Sequence, residues 1–423
     1  MATSIQAGLA PRRVVLGNGA VVIAKETHKT PAVALHVAVR AGSIIDPPGL
    51  PGAAFLLSRV IDRGTTTRTA DRIAEELDSR GISLAVTVNR HQISASCTCL
   101  AEDFDDVLTI VADILIAPSV PDGELATRKG EVITAIRQDQ DNPAIRAVES
   151  LMALLYGAAH PYGRPQKGTI ESVEALSAAR LRDLHRERFA PGELTAVVVG
   201  EVDAARAIDS AERVFGGWHA APPRPVDVPA PARAASRRRL VVPMMNKAQA
   251  DIAYGFVSIS RGDPAYYATW LMNNALGQYA LGGRLGDNIR ERQGMAYYVS
   301  SILDANVIPG PLLVRAGVSA ANVDRAIAAI DYELTQIRTE GLTPKELNET
   351  RQFLIGAMPR ALETNAGIAS FLQAAEFFGL GLDYDVRLPS LLAAVTLDEA
   401  NAAARRVLDP DRAAVVVAGP YKE

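Results

Sequence analysis

Gly49–Thr65, GLPGAAFLLSRVIDRGT, is the stretch on which the reading of this chain turns. Read as one helix, closed by Gly64-Thr65, it sets Phe55 and Arg59 four residues apart on one face, with Ser58 just before Arg59. Two histidines at that spacing would hold one Zn²⁺, and a glutamate between them would activate water. None of the three side chains present can do this. Phenylalanine has no donor atom, the arginine guanidinium stays protonated, and a serine hydroxyl is no general base without help.

Outward from this helix, Ile73-Ala74-Glu75-Glu76-Leu77 reads as a second amphipathic helix, and Gly81 opens an alternating strand. Then come His160-Pro161-Tyr162-Gly163, Gly168-Thr169 and Ala196-Val197-Val198-Val199-Gly200. In this order and spacing the segments resemble the pitrilysin and mitochondrial-processing-peptidase family of inverted zinc peptidases, from about Arg13 to Gly419. Each segment is weak alone; the ordered set is specific. The family motif is H-x-x-E-H, and Phe55, Ser58 and Arg59 stand at its three positions. The resemblance implies a third ligand, a glutamate, at Ala135, or at Ile136 if the register slips by one. Neither residue ligates a metal, so the resemblance implies that this chain carries no zinc.

The second half contains Leu281-Gly282-Gly283-Arg284-Leu285, then Ile289-Arg290-Glu291-Arg292-Gln293-Gly294-Met295-Ala296-Tyr297. Family members carry a similar Gly-Gly…Arg-Leu stretch, then an arginine and, seven residues on, a tyrosine; Arg290 and Tyr297 match. The resemblance implies that this pair grips the substrate main chain and polarises the scissile carbonyl across a closed cavity. The chemistry is sound in itself: a phenol O–H and a guanidinium are suitable fixed donors to the oxyanion that forms when water attacks a peptide. Gly294 permits a tight turn from helix end to strand. On spacing alone, Arg290 also fits a surface helix and Tyr297 half-buried strand packing.

A length of 423 residues is too great for one core. His219 to Arg239 holds Pro222, Pro223, Pro225, Pro229 and Pro231 and reads as an extended linker ending in Arg237-Arg238-Arg239, a solvated face. Residues 1–220 then form an N-terminal domain with the degenerate zinc site, 221–239 the linker, and 240–423 a C-terminal domain with the arginine–tyrosine pair. The halves share an outline. Gly81 and Gly294 each open a strand, Glu124-Leu125 and Glu346-Leu347 each begin a helix, and Ala196–Val199 and Ala414–Val417 each close a half; the separations are 213, 222 and 218 residues. Such agreement suggests duplication. Val-rich strands at 20–24 and 32–40, with a Phe104-Val107-Leu108-Val111-Ile114-Leu115 stripe stopped by Pro118, alternate strand and helix. The expected fold is α+β: two similar α/β sandwich domains, each a mixed or antiparallel sheet with helices on one face, facing each other across a cavity.

The remaining candidates point elsewhere. Cys97 and Cys99 lie on one face of strand 93–100, where they read as inert and buried. The six histidines, 28, 36, 91, 160, 185 and 219, include no pair three to five apart. His36 reads as core or rim, and His160 as a capping or packing residue. Gly282-Gly283 reads as a turn, not a phosphate cradle, and no G-x-S-x-G or P-loop motif is present. A net charge of −4 argues against a nucleic-acid surface, and no apolar run approaches the roughly 18 residues of a membrane span. Met1 to Arg13 has no apolar signal-peptide core, which favours the cytoplasm, or the periplasm if a leader has been removed.

These features predict a zinc-free subunit, inactive alone, that supplies Arg290 and Tyr297 in trans to a homologous zinc-bearing H-x-x-E-H partner in a heterodimeric metallopeptidase acting on peptides. The isolated chain could pair with itself as a homodimer. The alternative is a purely structural or peptide-binding pseudo-peptidase, like the core subunits of respiratory complexes in the same family.

Overall fold

The computed structural model describes residues 8–232, 234–278 and 282–422. Leu281 and the first seven residues of the N-terminal segment considered above lie outside them.

Eleven strands form two sheets: β1 Arg12–Val15, β2 Val21–Glu26, β3 Ala32–Val39, β4 Ala85–Val88, β5 Ile93–Leu100, β6 Leu194–Gly200, β7 Arg238–Pro243, β8 Ala250–Val257, β9 Ala296–Leu303, β10 Pro311–Val318 and β11 Ala414–Gly419. The first sheet runs β1-β2-β6-β3-β5-β4 and the second β7-β11-β8-β10-β9. Within each, one pair is parallel, β2 with β6 and β7 with β11. Every other pairing is antiparallel. Apart from the β1 hairpin strand, the two sheets have the same strand order and the same directions. This is the two-domain α+β fold with mixed sheets.

The chain forms two compact units. One holds residues up to Ile136, Pro165–Asp227 and Pro359–Val386; the other holds Arg137–Arg164, Val228–Met358 and Arg387 onward. In the first, period-two patterning sends Val33, Leu35, Val37 and Val39 and the cross-strand Ile93, Ala95, Cys97 and Cys99 to one face. There they meet the Phe104–Ile116 stripe and Leu56, Leu57 and Val60 of helix Ala53–Val60. The second unit repeats this plan: Ile252, Tyr254, Leu312, Val314 and Ala316 pack on Ile327, Ile330 and Leu334 of helix Val323–Thr339.

One helix also covers the opposite face of each sheet, and each comes from the other half of the sequence. Helix Pro143–Tyr156 lays Ala147, Leu151 and Leu155 on Ala253, Leu313, Ala414 and Val416 of the second sheet. Gly255 allows this approach, since a Cβ there would lie 3.1 Å from Leu151 Cδ2. Helix Asn365–Phe377 lays Ile368, Ala369 and Leu372 on Ile23, Ala34, Val197 and Val199 of the first. The compact units therefore cut across the linear division 1–220, 221–239, 240–423. The proline-rich stretch also ends sooner than the sequence suggests, because Arg238 and Arg239 already belong to β7.

Candidate functional site

Helix Ala53–Val60 is firmly anchored at its start. The Asp46 carboxylate accepts from Gly52 N–H and Ala54 N–H, both at 2.7 Å, and meets the positive end of the helix. Gly52 (φ +89°) and Gly168 (φ +81°) bring two loops into backbone contact, and a Cβ on Gly52 would sit 2.4 Å from Lys167 O. Ser172 Oγ, part of a capping box with Thr169, donates to Pro51 O at 2.7 Å. The sequence reading found the Gly168-Thr169 segment but missed Asp46; the only signal was an acidic residue shortly before an apolar helix.

Ser58 is buried and its hydroxyl donates to Phe55 O at 2.7 Å, so its proton is committed. Phe55 is half-buried and Arg59 exposed. Asp62, one turn on, is held above the usual carboxylate range by burial, against the pull of Arg63, Arg59 and Arg128. Ala135 is half-buried on helix Asp122–Gln140, and Ile136 is in the core. Among the described residues no group of three or more His, Cys, Asp and Glu side chains could hold a metal ion. This donor set does not fit zinc, and no chemistry is routed through a metal in this chain.

In the second unit, Gly286–Arg292 is a π-helical segment, with Gln293 N–H donating to Asn288 O at 3.1 Å. It closes at Gly294 (φ +58°), whose N–H reaches Arg290 O at 3.1 Å while Met295 N–H reaches Ile289 O at 3.0 Å. This is a Schellman-like end widened by the π geometry. The chain then enters β9, an edge strand. Its register against β10 shifts between Tyr298, opposite Gly317, and Ala296, opposite Val318, which leaves Tyr297 as the extra residue of a β-bulge. The bulge turns Tyr297 outward, to 70% exposure. Behind it, Gly283 packs its Cα side on Gly277, where a Cβ would lie 2.8 Å from Gly277 Cα; this close backbone contact is what the Gly-Gly step provides.

The arginines of this segment differ in their engagement. Arg284 forms a forked pair with Glu346 at 2.6 and 2.9 Å, and Arg292 pairs with Asp287. Arg290 has only Glu291 Oε1 at 3.7 Å, too far for a hydrogen bond. Arg290 and Tyr297 thus flank the Gly294 turn with their donors free of hydrogen bonds among the described residues.

The other candidates are structural. His160 Nδ1 accepts from Tyr162 N–H at 3.0 Å, and its ring packs beside Tyr156 and Tyr162. His36 is half-buried on β3 and its imidazole is disfavoured as a cation by burial. Cys97 and Cys99 are buried free thiols pushed up to about 12, chiefly by desolvation, so they are unreactive. The arginine run differs from a solvated face. Arg237 pairs with both Asp331 oxygens at 2.9 Å, Arg238 donates to Leu154 O at 2.5 Å, and Arg239 reaches Asp324 at 3.0 Å. Asp324 and Asp331 stand two turns apart on helix Val323–Thr339, a spacing invisible from the arginines alone. Among the described residues no helix is long and apolar enough to cross a membrane.

Two family models match the chain: Insulinase (Peptidase family M16) over residues 21–166 and Peptidase M16 inactive domain over residues 175–354. An uncharacterized zinc protease of Mycobacterium bovis is 28% identical, covering 98% of this chain and 94% of its own length. One from Streptomyces coelicolor is 26% identical over 97% and 90%. Among solved structures, the peptidase M16 inactive domain from Pseudomonas fluorescens superposes with a TM-score of 0.90 at 26% identity, over 97% of this chain and 98% of that one. A Helicobacter pylori protease shares the fold at 15% identity, with a TM-score of 0.89 over 98% and 100%. With one M16 model on each side of residue 170 and the same architecture carried from end to end, the chain belongs to peptidase family M16.

Proposed function

We propose that this chain is the zinc-free subunit of a two-subunit metallopeptidase. Arg290 and Tyr297 bind peptide main chain and stabilise the oxyanion in the active site of a homologous zinc-bearing partner. One contrast carries the reading: donor atoms are absent at Phe55, Ser58, Arg59 and Ala135, while Arg290 and the bulge-presented Tyr297 keep theirs unengaged. A scaffold has no need of a tyrosine hydroxyl at 70% exposure on an edge-strand bulge. The shared strand order of the sheets supports an origin by duplication, in which one unit lost its metal site and the other kept its clamp.

The test mixes the purified chain with an H-x-x-E-H relative encoded beside it. The chain alone should be inactive and the mixture should cleave peptides. Tyr297→Phe removes one hydroxyl and should lower kcat of the mixture by about 10²–10³. Arg290→Ala should raise KM if it grips the main chain, and Arg292→Ala should change little. Peptidase activity untouched by Tyr297→Phe would hand the chain to the scaffold reading. One tightly held Zn²⁺ per dialysed chain would mean that the metal site lies elsewhere.

A further inference from the structure

The strand β10 reads Leu312-Leu313-Val314-Arg315-Ala316-Gly317-Val318, with one charge inside an apolar run. Alternation sends Leu312, Val314 and Ala316 into the core and Leu313, Arg315 and Gly317 to the other face. Helix Pro143–Tyr156 covers that face over β11, β8 and Leu313. Arg315 lies past the covered region, half-buried, between Ala253 on β8 and Ser300 on β9. Neither its guanidinium nor the Ser300 hydroxyl makes a hydrogen bond or ion pair among the described residues.

The wall beside them is rigid. The Tyr298 ring lies against Gly317, with Cε1 2.5 Å from where a Cβ would stand, and its hydroxyl donates to Asp251. Gln249 Nε2 also donates to Asp251, at 3.3 Å. Asp251, 2% exposed, is therefore spent on Tyr298 and Gln249 rather than on Arg315. The Arg315 guanidinium sits 6.0 Å from the Tyr298 ring centroid. A half-buried guanidinium without a counter-ion is an unusual expense in a sheet, and its planar fork matches a carboxylate.

We propose that Arg315, with the Ser300 hydroxyl beside it, binds a carboxylate of the peptide presented to Tyr297, three residues from Ser300 along β9. That the ligand is a peptide rests on the function proposed above. The site makes the chain selective for peptides carrying an acidic side chain or a free C-terminus near the scissile bond.

The experiment measures binding to the purified full chain by fluorescence anisotropy. The probes are a labelled alanine–serine peptide with one central glutamate and its glutamine twin, each as C-terminal acid and as amide. At least one carboxylate form should bind about tenfold or more tighter than its neutral twin. Which pair differs tells side chain from C-terminus. Arg315→Gln should abolish the preference, and Arg315→Lys, which keeps the charge and is the safer variant for folding, should retain part of it. Tyr297→Phe should leave the preference intact, so a failed clamp and a failed carboxylate site give different results. A preference that survives Arg315→Gln, or equal binding of all four probes, overturns the proposal; no binding of any probe overturns it together with the peptide reading.

Discussion

His91 is among the most pH-sensitive side chains of the first unit. Its backbone is wedged against Gly42, where a Cβ would lie 2.3 Å from His91 N, and its ring is 6.0 Å from that of Phe377. Burial, helped by the neighbouring Arg90 charge, pulls its pKa down to about 4. A base with a depressed folded pKa favours the neutral form. Its stabilising effect is complete above the unfolded value near 6.5 and is lost as pH falls toward 4. Between pH 7 and pH 5 this site should cost about 2 kcal/mol of stability. Thermal melts at both pH values should show a smaller drop for His91→Gln than for the parent chain; equal drops would assign the acid sensitivity elsewhere. The sequence showed His91 only as one of six histidines without a partner at metal-site spacing. Its burial comes from Gly42 and Phe377, 49 residues before it and 286 after it.

At the scale of elements, local pattern and observed structure agree closely where one face is buried. The Phe104–Ile116 stripe ends before Pro118, and the strand at 32–40 is Ala32–Val39. The strand expected to open at Gly81 begins only at Ala85, because Gly81 (φ +66°) still belongs to the turn after helix Ala70–Asp78. The π-helical segment and the bulge at Tyr297 left no trace in residue periodicity, since each is an insertion of one residue relative to a regular neighbour. The helices that change units were legible as helices but not as partners of the distant sheet. Leu151 is fully buried on the second sheet. Leu151→Ala should cost about 2–5 kcal/mol. Hydrogen exchange should then show the loss in β8 and β11, although residue 151 lies far upstream of both. Faster exchange confined to the first sheet would contradict this packing.

At the scale of the molecule, each compact unit contains chain from both sides of the proline-rich stretch. Residues 219–235 form no helix or strand among those described, so protease should cut there first. The nicked protein should nevertheless elute from a sizing column as one species and separate only in denaturant. Each sheet keeps a helix donated by the other fragment, through Leu151 and Leu155 on one side and Ile368 and Leu372 on the other. Fragments that part under native conditions would show that these two interfaces are too weak to hold.

The sequence by itself determined the family, the α+β class, the loss of every metal donor at Phe55, Ser58, Arg59 and Ala135, and the survival of Arg290 and Tyr297. These follow from local spacing and from what each side chain can donate, which no fold alters. Tertiary structure alone decided that helices 143–156 and 365–377 complete the opposite sheets. It also decided that Arg237 to Arg239 are paired with a distant helix, that a bulge turns Tyr297 outward, and that Arg315 is left without a counter-ion. Those depend on which residues remote in sequence lie side by side, and a one-residue shift in strand register would change every one of the sheet contacts.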